Sequence, residues 1–140
     1  MMTVDTFVGP SAIEGVGIFA AVPIAAGELI WRFDPRFDRF LHRSELADAD
    51  DYLLTYLEKY SYPHHEDPDL LVIEIDNGRF MNHSAAPNTD FTGQTEGYAL
   101  VDIAAGQELT CDYAEFDPIY TLLPSRVAAF AAAQPAQATA

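Results

Sequence analysis

At 140 residues the chain has the length of one domain, and with 49% apolar residues it can bury a core. No apolar run approaches the roughly 20 residues that cross a bilayer, no basic patch precedes an apolar stretch near Met1, and the one cysteine, Cys111, makes neither an internal disulfide nor a multi-Cys zinc site. Asp and Glu number 22 against 7 Lys and Arg, a net charge of −15 that repels phosphate backbones and attracts basic partners, so the expectation is a cytoplasmic protein with no metal, no membrane and no direct nucleic-acid contact.

In chain order, Gly9-Pro10 and Gly15-Val16-Gly17 frame an early turn. Ile18-Phe19-Ala20-Ala21-Val22 reads as a strand closed by Pro23, and Glu28-Leu29-Ile30-Trp31-Arg32-Phe33 as a second, ended by Asp34-Pro35. Leu53, Tyr56, Leu57 and Tyr60 recur at helical spacing, which predicts a helix over residues 44–60 capped by Ser44 or Asp48. Pro63 and Pro68 bracket a loop. Leu70-Leu71-Val72-Ile73-Glu74-Ile75 is a strand and Asp76-Asn77-Gly78 a turn. Residues 89–92 and 98–103 read as strands, and Ala104-Ala105-Gly106 turns into Glu108-Leu109-Thr110-Cys111. The stretch 22–29 echoes 101–109, which we read as repeated turn chemistry, since two copies cannot build a solenoid. Residues 1–117 form the expected domain, and residues 118–140 a tail: a candidate lid, then a disordered Ala-rich run.

Several chemistries fail on spacing. Gly15-Val16-Gly17-Ile18-Phe19-Ala20 fits the dinucleotide-binding pattern, but Pro23 and Gly27 leave no room for the helix on which the phosphates must sit. In His64-His65-Glu66-Asp67 adjacent histidines are expected to point apart, with no third ligand at metal spacing. Asp48, Asp50 and Asp51 lack the Gly and closing Glu of a calcium loop, and no serine elbow supports an acyl-transfer triad. What remains is Arg79-Phe80-Met81-Asn82-His83-Ser84 and Glu108-Leu109-Thr110-Cys111-Asp112-Tyr113, polar groups threaded between apolar runs. Such groups need hydrogen bonds or a ligand.

These segments resemble the SET-domain protein lysine methyltransferases. Ser11-Ala12-Ile13-Glu14-Gly15-Val16-Gly17-Ile18-Phe19-Ala20 is similar to the family's opening motif and Gly27-Glu28-Leu29-Ile30 to its next strand. Arg79 to Asn88 is similar to R-F-x-N-H-S-C-x-P-N, and Glu108 to Tyr113 to E-L-T-x-D-Y, in the same order, over roughly residues 8–116. The resemblance implies a mostly β fold with a short helical insert, small curved sheets and a C-terminal pseudoknot in a β-clip-like arrangement, where the Asn82-His83 and Tyr113 segments cross. It implies S-adenosylmethionine as cofactor. The backbone of Glu14, Gly15, Val16 and Gly17 would cradle its methionine end, Asn82 and His83 its amino group and adenine, with Arg79 packed nearby. Tyr113 would be the catalytic tyrosine, and Phe33, Cys111 and Tyr113 would line the substrate channel.

The implied partner is a basic, lysine-containing protein or peptide. Minimal members of the family can pair, so a homodimer is among the allowed assemblies. Six of the seven basic residues are Arg and Lys59 is the lone lysine, which suits an enzyme that modifies lysine and should spare itself. Ala85 stands where many members have a zinc-ligating Cys, and no cysteine cluster follows Tyr113. That removes the zinc-bound lid and leaves Phe116 and Tyr120 as candidate covers. Cys111, at a position often held by Phe or Tyr, leaves room for di- or trimethylation. The alternative function is a catalytically idle SET-like module that binds a partner; methylation of a small amine is a third.

Overall fold

Strand β1 (Thr6–Pro10) pairs antiparallel with β2 (Val16–Ala20), running from Thr6 opposite Ala20 to Pro10 opposite Val16. Gly9-Pro10 thus belongs to a strand, not a turn. Pro10 fits because β1 is the edge of its sheet, where a missing N–H costs no ladder bond. Gly15, at φ +50°, closes the hairpin, and Ser11 Oγ accepts the Ile13 N–H at 2.9 Å. The structure, a computed structural model, describes residues 1–93 and 95–116; the expected tail at 118–140, Tyr120 included, lies outside the described residues.

Three small sheets follow. The first has the order β1-β2-β10-β7, with β7 at Asn82–His83 and β10 at Glu108–Cys111. Strand β10 lies antiparallel to β2 (Leu109 opposite Ile18) and parallel to β7 (Thr110 opposite Asn82, Cys111 opposite His83). The second sheet joins β3 (Leu29–Arg32), β9 (Glu96–Ala99) and β8 (Thr89–Asp90). Here Gly97 is required: a Cβ would stand 2.4 Å from the Phe91 ring. The third joins β4 (Arg39–His42), β6 (Leu70–Ile73) and β5 (Ser61–Pro63). Strand β4 was not foreseen, and β5 replaces part of the expected proline loop, because β6 supplies both with a partner. The expected strand at 98–103 ends instead at Ala99, and Ile103 makes an isolated bridge to Ile24.

The helix is shorter than expected. Residues Arg43–Leu46 form a 3-10 turn and α1 spans Asp51–Tyr60, capped by Asp50, whose side chain accepts the Leu53 N–H at 2.8 Å. Ser44 and Asp48 do not cap it. Of its four periodic apolar residues only Leu57 is buried. The main core instead joins the first two sheets through Ile18, Ile30, Trp31, Phe91, Ile103 and Leu109.

The internal echo has a structural counterpart. Ile24 and Ile103 exchange N–H···O bonds at 2.9 and 2.8 Å and are both buried. In each copy a type II-like turn follows. Gly27 and Gly106 sit at φ +83° and +84°, and the next side chain (Glu28 or Gln107) accepts the N–H of the turn's first alanine at 3.0 and 3.1 Å. The two turns face each other across one bridge and present Leu29 and Leu109 to neighbouring sheets.

Candidate active site

The parallel pairing of β7 with β10 brings together residues about thirty positions apart. Asn82 is nearly buried, and its amide N–H₂ donates to the Val16 carbonyl at 3.0 Å, the Glu14 carbonyl at 3.2 Å and Glu108 Oε1 at 2.9 Å. The Glu108 carboxylate also accepts from Ser11 Oγ at 2.8 and 2.9 Å. Gly17 permits this approach, since a Cβ there would lie 2.1 Å from Glu108 Oε1 and 3.2 Å from Asn82 Nδ2. One amide therefore ties the 14–17 backbone to the crossing point. Gly15, with open space where a Cβ would be, borders the same loop.

His83 and Tyr113 meet on the other side. The Tyr113 N–H donates to His83 Nδ1 at 3.1 Å, which makes Nδ1 the unprotonated nitrogen. The rings lie 5.3 Å apart, tilted by 48°. Burial pushes the His83 pKa down, against Asp112, whose carboxylate is 3.7 Å from Nδ1. A neutral imidazole at neutral pH is the consequence. The Tyr113 phenol donates to the Met81 carbonyl at 2.8 Å. Its proton is committed, and its oxygen keeps lone pairs that can accept from an amine N–H. Asp112 caps the 3-10 turn Tyr113–Glu115 by accepting the Ala114 N–H at 2.9 Å, which sets the angle at which the chain leaves β10.

Phe33 and Phe116 line an aromatic cleft with Phe40, Tyr62, Val72 and His64, with a cavity of about 40 Å³. Phe33 stacks on Phe40 at 4.8 Å, and Tyr62 packs on Phe116 at 4.7 Å. Phe33, Tyr113 and Phe116 all pack against the main core, and Cys111, buried, belongs to it. Arg79 goes elsewhere. Its guanidinium donates to the Ile75 carbonyl at 2.7 Å and lies 4.5 Å over the Phe80 ring, and no described hydrogen bond joins it to the 14–17 loop. His64 and His65, expected to diverge, stack at 4.5 Å because His64 also meets the edge of Phe40. Among the described residues no group of three or more His, Cys, Asp or Glu could hold a metal ion.

Sequence reasoning placed Ser11 and Glu108 within motifs without giving either a role, and it did not single out Tyr62 or Glu74. The Tyr62 hydroxyl donates to Glu74 Oε1 at 3.0 Å, and Glu74 is only 8% exposed. Burial raises the Glu74 pKa to about 7 and keeps the Tyr62 phenol protonated well above its ordinary range. A signal was present: Glu74 is the only charged residue in an apolar run.

A family model of the SET domain matches residues 15–114. No curated protein matches the chain. Among solved structures, Chaetomium thermophilum polycomb repressive complex 2, in an autoinhibited conformation bound to S-adenosylmethionine, is similar at TM-score 0.61 and 22% identity, over 88% of this chain and 17% of that one. An inhibitor-bound humanised mutant of that complex gives TM-score 0.60 at 22% identity, over 81% and 15%. A candidate histone methyltransferase from Plasmodium falciparum gives 0.56 at 18% identity, over 80% and 95%. The chain thus spans less than a fifth of the polycomb chains and nearly the whole of the Plasmodium one; at such identities the likeness is one of fold. The matched span runs from the Gly15 turn through both crossing segments and past Tyr113, over most of the sequence, and the chain belongs to the SET-domain family.

Proposed function

We propose that the protein transfers methyl groups from S-adenosylmethionine to a lysine in a basic protein segment. The observation that carries this is the β7–β10 crossing, where Asn82 binds the 14–17 backbone on one side and His83 meets Tyr113 on the other. The residues fit the cofactor. Gly15 leaves open space on the loop, the Asn82 amide ties that loop to the crossing, and burial holds the His83 ring toward its neutral form. When bound, S-adenosylmethionine supplies an electrophilic methyl on a sulfonium.

The chain's own residues have three tasks. The Glu14–Gly17 backbone, Asn82 and His83 hold the donor. Arg79 supports the turn Asn77–Phe80 that leads into them. Tyr113 orients the acceptor amine, its oxygen accepting an amine N–H while its own proton stays on Met81. The amine must be neutral to attack. For a free lysine of pKa about 10.4 that costs about 4.6 kcal/mol at pH 7. The sulfonium charge of the bound donor and the apolar core around Tyr113 would disfavour the ammonium form at the point of transfer and lower that cost, so alignment supplies much of the acceleration.

Calorimetry with S-adenosylmethionine tests the donor before any acceptor is known; a saturable heat is expected. Label transfer from the methyl donor to an array of lysine-bearing basic peptides tests the reaction. Donor binding without transfer to any peptide or small amine would favour an idle, partner-binding module, and no donor binding would end the methyltransferase reading.

A further inference from the structure

The aromatic cleft has a carboxylate behind its wall. Tyr62 contributes its ring to the cleft beside Phe33, Phe40 and Phe116, while its hydroxyl turns inward to Glu74. Glu74 is enclosed. A Cβ on Gly78 would stand 2.4 Å from Glu74 Oε2, and the charged groups facing it are the Asp38 and Asp76 carboxylates and the Met1 ammonium. A buried charge kept in place needs a reason beyond packing, because an apolar residue of equal size would stabilise the fold more.

We propose that Glu74, acting through Tyr62, is a positioning and selectivity residue that makes the aromatic cleft prefer a primary alkylammonium over a neutral group of the same shape. The ionised carboxylate, accepting the phenol O–H, shifts electron density onto the Tyr62 oxygen and ring and adds negative potential behind aromatic faces that already attract cations. Glu74 also fixes the Tyr62 ring, so the wall is formed before the ligand arrives. The biological meaning rests on the methyltransferase reading: the cleft would take the lysine side chain in its charged form, and the ammonium would give its proton to solvent water before the neutral amine moves on to Tyr113.

The test follows ring resonances of Phe33, Tyr62 and Phe116 by NMR at pH 8, titrating n-butylammonium, which copies the lysine side chain, against n-butanol. The wild type should bind the cation about tenfold more tightly than the alcohol. Glu74→Gln keeps an acceptor for the Tyr62 hydroxyl and removes the charge; it should abolish that preference while alcohol binding stays the same. Tyr62→Phe, which keeps the wall and removes the link, should lower it too. Equal binding of the two ligands by the wild type, shifts away from the cleft, no shifts, or an unchanged ratio in Glu74→Gln would each overturn the proposal. Titrating S-adenosylmethionine into the same sample separates the two ideas, since loss of donor binding sinks the methyltransferase reading and leaves the cation ratio to be judged by itself.

Discussion

Tyr113 and Glu74 differ in what their hydrogen bonds achieve. The Tyr113 hydroxyl donates to Met81, so Tyr113→Phe removes one hydrogen bond worth about 1 kcal/mol of stability. Its larger effect should be on transfer. With the amine no longer aimed, kcat should fall about 10²-fold while donor affinity stays constant, a split measured by saturation kinetics beside calorimetry. Glu74 carries a cost that pH exposes. Its folded pKa is raised from 4.5 to about 7, so the native state holds this proton more tightly than the unfolded chain does. Stability from this group is complete below pH 4.5 and is lost as pH rises through 7, by about 3 kcal/mol in all. In urea titrations Glu74→Gln should therefore gain on the wild type between pH 5 and pH 8; parallel curves would show that Glu74 is not the group responsible. Neither pairing is written in the local sequence. Met81 lies 32 positions from Tyr113, and Glu74, just past β6, meets a tyrosine of β5.

At the scale of elements, turns were the most legible features and strand partners the least. Gly27 and Gly106 have nearly the same φ, and nothing stands within 4 Å of a Cβ at either, so only backbone strain opposes a side chain. Gly27→Ala and Gly106→Ala should each cost about 1 kcal/mol, and equally, because the turns are equivalent; thermal melts of the two variants compare them. Gly17 is a different case. Its φ is unexceptional and its constraint is Glu108 and Asn82, so Gly17→Ala should weaken donor binding more than it lowers the melting temperature. The Ala-Ala-Gly signals marked both turns because a positive φ is a local demand. Strands β4 and β5 escaped notice because they are short and hold together only against β6. The helix was placed by its periodicity but started too early, since Asp50 competes with Ser44 and Asp48 for the cap and only packing decides among them.

For the whole molecule, the charge of −15 matters more for encounter than for fold. Binding of a basic peptide should weaken as salt rises from 50 to 500 mM, mainly through slower association, as stopped-flow traces would show. A salt-independent rate would mean that the acidic surface serves solubility alone. The sequence by itself determined the kind of domain this is: the four ordered motifs, the Gly turns and the polar residues set among apolar runs are short-range patterns, legible because sterics and periodicity act over a few positions. Only the tertiary structure decided that Asn82 binds the 14–16 carbonyls, that Arg79 folds back on Phe80, and that Tyr62 lays a buried carboxylate behind an aromatic cleft. These contacts depend on how strands far apart in the chain insert beside one another, and the packing energy that selects one insertion is a property of the assembled core.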